Sequence, residues 1–160
     1  MEKYCSDLFA SDKTRAPDLS FGREDPADHL QEGSPGPWQR SASLDDVAWI
    51  WEQQGKVVHA GLYIPSEDWE TVVNYYFRSD GSVEEIRSDV QNETYGQIDE
   101  REWVFDPTGR VIKFDEQFLD EYSGKTTKLN PDFADIDTPF YLRISDLPFA
   151  SLLPKQSARP

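Results

Sequence analysis

Three times along this chain two aromatics separated by one residue are followed by a turn-like stretch, a glycine, one further residue and a valine. The first copy is Trp49-Ile50-Trp51, then Gly55-Lys56-Val57. The second is Tyr75-Tyr76-Phe77, then Gly81-Ser82-Val83, and the third Trp103-Val104-Phe105, then Gly109-Arg110-Val111. The copies begin 26 and 28 residues apart. Side chains two apart share one face of a strand, so each aromatic pair suits a half-buried strand. A three-residue loop ending in glycine matches a type I turn closed by a left-handed residue in a bulge. Pro107 fits the first central position of such a turn and Asp80 the second. Valine then opens the returning strand. The unit is a β-hairpin, repeated.

Strands are therefore predicted over roughly 47–52, 56–64, 69–78, 82–90, 100–106 and 110–118. The fold expected is mainly β: a single antiparallel, twisted meander of about six strands with irregular N- and C-terminal arms. The first copy admits a second reading. Leu44, Val47, Ala48 and Trp51 also fit the i, i+3, i+4, i+7 spacing of an amphipathic helix over 44–54. Agreement with the other two copies favours strand.

The segments divide as 1–44, 45–150 and 151–160. Residues 1–44 read as an irregular arm with a short helix near 26–32, because Asp25 can cap it, Pro26 suits its first turn and Gly33 its end. Residues 45–150 hold the meander and a C-terminal arm that packs over one face of the sheet or covers an edge strand. Residues 151–160 read as a tail. The third copy's hairpin, Glu102 to Phe114, and the second, Tyr75 to Arg87, are similar to small bacterial exported β-meander proteins that remain uncharacterised. The unit also resembles repeats of the MORN kind, which are shorter and richer in glycine. Neither resemblance implies a catalytic residue.

Net charge is −15 over 160 residues, and nineteen acidic against six basic groups place −13 of it within residues 45–122. Such a field repels nucleic-acid backbones and anionic membranes. No stretch approaches the roughly 20 apolar residues of a membrane span. Aromatics at 13% argue against an acidic disordered chain. Met1 to Arg15 has neither the basic start nor the apolar run of a secretory signal, which leaves two readings: a cytoplasmic protein, or an exported one with its signal removed. Cys5 is the single cysteine, so no internal disulfide framework is expected. Asn92-Glu93-Thr94 fits a glycosylation sequon and is read as chance.

Chemistry-bearing residues do not converge. His29 and His59 are the only histidines, and His59 lies in an apolar run that suits packing. No Gly-x-Ser-x-Gly and no glycine-rich phosphate loop occurs. Asp132, Asp135 and Asp137 lack the turn glycine of a calcium loop. No metal site and no cofactor are expected. Carboxylates are abundant, among them Glu84, Glu85, Asp99, Glu100, Glu102, Asp115 and Glu116, and read chiefly as a solvated face. The aromatics Trp49, Trp51, Tyr75, Phe77, Trp103 and Phe105 have two readings. They are core on one sheet face, or a ring platform that grips a partner. The function expected is a non-catalytic binding protein. The alternatives are an acidic inhibitor or immunity-type protein masking a basic partner, and a carboxylate-based hydrolase in a sheet cleft.

Overall fold

A computed structural model describes residues 17–23, 31–33, 46–66, 68–92, 94–133 and 136–153. They form one open antiparallel sheet of eight strands in the order β2-β1-β3-β4-β5-β6-β7-β8. The strands are β1 Leu19–Arg23, β2 Gln31–Gly33, β3 Asp46–Gln53, β4 Lys56–Pro65, β5 Glu70–Phe77, β6 Val83–Asn92, β7 Gln97–Phe105 and β8 Val111–Asp120. Six of them, β3 to β8, are the meander that the repeat predicts, and residues 46–53 are strand throughout. Two single-turn 3-10 helices, Ile144–Asp146 and Ala150–Leu152, are the only helices among the described residues.

The N-terminal region corrects the expectation of an irregular arm. Residues 19–23 pair with β3, and 31–33 pair with β1. The proposed helix near 26–32 falls on strand at 31 and 32, and residues 24–30 lie outside those described. Phe21 explains the pairing of β1: it sits opposite Ala48 and is buried. Propensity alone could not reveal that partner.

The second and third hairpins close as their turn chemistry dictates. Gly81 and Gly109 have φ of +81° and +83°, the left-handed region that glycine occupies without Cβ strain. Their amides donate to the carbonyls of Arg78 and Asp106, both at 2.9 Å. Asp106 adds a second set of bonds, accepting the amides of Thr108 (2.8 Å) and Arg110 (3.1 Å) on Oδ1. The Thr108 hydroxyl, followed by the Arg110 and Thr108 amides and the Arg110 guanidinium, holds the Asp106 carboxyl far below its ordinary 3.8. A folded-state value below the unfolded one stabilises the turn above pH 4 and is lost only as pH falls through the folded value. The amide resonances of Thr108 and Arg110 are therefore expected to titrate well below pH 3.8. Asp106→Ala should abolish that titration, and a midpoint at or above 3.8 would contradict the geometry.

The first hairpin is built differently. Gln53 pairs with Lys56 across a two-residue loop, and both Gln54 (φ +55°) and Gly55 (φ +74°) are left-handed, as in a type I′ turn. Relative to the other copies this slips the register by one residue. A one-residue slip sends side chains to the opposite face. Trp49 pairs with Gly61, which pairs with Asn74, which pairs with Arg87; Tyr75 instead lies in the row Ile50, Ala60, Tyr75, Ile86, Trp103 and Phe114. The expected single aromatic face is thus two faces.

On the face carrying Tyr75, the core comprises Phe21, Ala48, Ile50, Ala60, Leu62, Val73, Tyr75, Phe77, Ile86 and Phe105, together with Leu147 and Phe149. The last two come from the C-terminal arm, which crosses this face as one of the two expectations held. The arm is fastened by polar bonds at intervals. Gln97 donates to the Lys128 carbonyl (2.7 Å), Thr138 to Ser88 Oγ (3.0 Å) and the Tyr75 hydroxyl to the Pro139 carbonyl (2.8 Å). Burial pushes the Tyr75 hydroxyl far above its usual range. Beyond this, the Val83 amide donates to the Leu142 carbonyl and Phe149 stacks on Phe21 at 5.6 Å.

The opposite face is divided. Over β3 to β5 it carries Val47, Trp49, Trp51 and Tyr63, with His59 stacked between Trp51 (4.2 Å) and Tyr76 (4.5 Å). Over β6 to β8 it carries charge: Glu85, Arg87 and Asp89, then Glu100 and Glu102, then Lys113 and Asp115. On this face the charge is thus confined largely to the half over β6 to β8. Other carboxylates, among them Asp99, Glu116, Asp80 and Asp106, lie on the arm side or in the turns.

Candidate functional site

Of the six candidate aromatics, five are buried. Trp49 and Trp51 lie in the smaller cluster, whereas Tyr75, Phe77 and Phe105 lie in the larger one. These rings are core and form no joint platform. Trp103 differs. It is half-buried on the arm-bearing face, stacked on Phe114 (5.2 Å) and edge-on to Phe140 (5.0 Å). Both of those rings are nearly half exposed, at 49% and 48%, and Val111 (49%) and Ile112 (64%) stand beside them in β8. The sheet thus ends in a strip of apolar surface instead of tapering into polar residues.

That strip follows a strand whose outer side is open. β8 is the last strand of the sheet and pairs inward with β7 over residues 97–105. Its far end is closed: Leu119 bridges Thr126, and the Thr127 amide donates to the Phe118 carbonyl at 2.8 Å. Residues 111–117 are exposed throughout, and among the described residues no strand pairs with their outer side. An edge strand left this way presents a row of amides and carbonyls ready for an incoming chain.

The two faces of this edge differ in chemistry. On the arm side stand Ile112, Phe114, Glu116 and Phe118. On the other stand Lys113, Asp115 and Gln117. Lys113 Nζ lies 2.8 Å from both Glu102 Oε1 and Asp115 Oδ2. The Asp115 and Glu102 carboxylates hold its ammonium well above the ordinary lysine range. Gln117 donates to Glu100 at 2.7 Å. Phe114 and Phe140 were not among the candidates read from sequence. The sequence offers only a partial signal, the end of the hairpin repeat after Val111, because a strand outside the repeat can still cover its end, as β1 covers β3.

The other candidate chemistry is spoken for by structure. Asp99 is fully buried under the arm, with its Oδ2 2.6 Å from Arg101 Nη2; Arg101 Nε reaches Glu116 at 3.1 Å. Glu85 pairs with Arg87, which also reaches Glu102. His59 is buried, its Nε2 2.9 Å from Asn74 Oδ1. Asn92 of the sequon is buried and accepts the Tyr95 amide. Cys5, His29 and Asp135 lie outside the described residues. Among those described, no group of three or more His, Cys, Asp or Glu is arranged to hold a metal, and no helix is long and apolar enough to cross a membrane.

Neither a family model, nor a curated protein, nor a solved structure matches the chain.

Proposed function

We propose that this chain is a non-catalytic interaction protein that receives an extended segment of its partner along the outer edge of β8. The observation that carries this reading is the open, exposed run 111–117 flanked by Ile112, Phe114 and Phe140. Strand addition draws affinity from main-chain hydrogen bonds and selectivity from alternate side chains, and this edge supplies both. The resemblance to exported bacterial β-meander proteins supports a partner in the envelope or outside the cell.

The test selects short displayed peptides against the intact protein. Selected peptides should slow amide exchange at residues 111–117 and lose at least about tenfold in affinity for Phe114→Asp, since a buried aromatic anchor becomes a desolvated charge. Peptides that protect another region, or that bind the variant unchanged, would overturn the proposal.

A second reading, an acidic inhibitor masking a basic partner, is supported by the −13 lodged in residues 45–122. In that case complex formation with a basic protein weakens steeply as salt is added.

A further inference from the structure

We infer that the occupant of the β8 edge is a second copy of this chain, its β8 running antiparallel to the first with Phe114 opposite Phe114. The inference rests on the reading of β8 as a binding edge and names the partner. In an antiparallel pair, directly opposed residues share a face. Two identical strands related by a two-fold axis must therefore centre on a residue and not between two. The open run is 111–117, and its midpoint is Phe114.

Charge selects the same centre. About Phe114, Lys113 of each copy meets Asp115 of the other, and Ile112 meets Glu116, whose carboxylate is drawn inward to Arg101. About position 113 lysine would face lysine, and about position 115 aspartate would face aspartate. Of the registers centred on 113, 114 and 115, only the one on Phe114 is free of a like-charge pair. It also joins the two exposed Phe114 rings, each already stacked on its own Trp103. A uniformly basic strand fits less well, because the row it would flank, Lys113, Asp115 and Gln117, sums to zero.

Two chains of −15 repel each other at long range. Screening acts over a Debye length of about 8 Å at physiological salt, whereas opposed side chains in a sheet start about 5 Å apart. Association should accordingly strengthen from low to physiological salt, the reverse of capture of a basic protein.

The experiment is sedimentation velocity and light scattering on the full chain over a wide concentration range. The wild type should approach twice 18.4 kDa. Lys113→Asp alone and Asp115→Lys alone should each weaken self-association by about tenfold or more, because two attractive cross-strand pairs become repulsive. An equimolar mixture of these two variants should recover it, since each reversed row then faces its opposite. A wild type that keeps single-chain mass throughout, or variants that associate like the wild type, would overturn the inference. So would stronger association of Lys113→Thr, which would make Lys113 a guard against edge pairing. If the wild type is monomeric while selected peptides still protect residues 111–117, only the identity of the partner falls. If those peptides fail too, the binding edge itself falls.

Discussion

Arg101→Ala is expected to lower the unfolding free energy by about 3–5 kcal/mol, the usual result of stripping the counter-ion from a buried charge. Asp99 is wholly buried between the sheet and the arm, and Arg101 stands 2.6 Å from its Oδ2. Arg101 also donates to the Ile136 carbonyl at 2.9 Å, so one guanidinium both neutralises the carboxylate and holds the arm. The two roles separate in a second variant. Asp99→Leu combined with Arg101→Met removes charge and counter-charge together and should return most of the loss, because well-packed apolar replacements of buried ion pairs cost little. Denaturant midpoints with unchanged slopes would report this. A double variant as unstable as Arg101→Ala would place the energy in the arm contact instead.

Phe149→Ala should cost a similar amount, about 3–5 kcal/mol, or a fall in Tm on the order of 10 °C for a chain of this size. Phe149 is 1% exposed and stacks on Phe21, itself 1% exposed, so truncation leaves a void that rigid strand backbone cannot close. Its effect should also be local. Amides in β1 and in residues 145–153 should exchange faster than those of β5 and β6, which retain both sheet neighbours. Equal acceleration across all strands would show that β1 and the arm do not form a separable unit.

What could be read from the sequence and what could not follows a physical divide. The hairpins were legible because their determinants are local: Gly81, Gly109, Pro107 and the aromatics two apart act within a few residues of one another. The face of Trp49 and Trp51 was not. Gln54-Gly55 and Ser79-Asp80-Gly81 look alike as turn formers, yet the first closes in two residues and slips the register by one. That slip is a small local difference with a global result. The strand at residues 19–23 was illegible for another reason, since Phe21 depends on partners far along the chain. The open edge at β8 was half legible. Trp103 was singled out as an aromatic, but its exposure follows from being one strand from the end of the sheet, a property of the whole order and not of the motif.

The arm has a consequence for how the protein is made. Hairpins of the β3 to β8 meander can each close as they leave the ribosome, since their contacts lie between neighbours in sequence. The face they build stays bare until residues 126–153 have emerged, because the cover follows the whole meander in sequence. Phe21, which precedes the meander in the chain, waits for Phe149, which follows it. Throughout that interval the nascent sheet carries an uncovered apolar surface, the state in which unfinished β-proteins are most prone to aggregate and to engage chaperones. Completion of this fold is thus timed by the arm that follows the sheet.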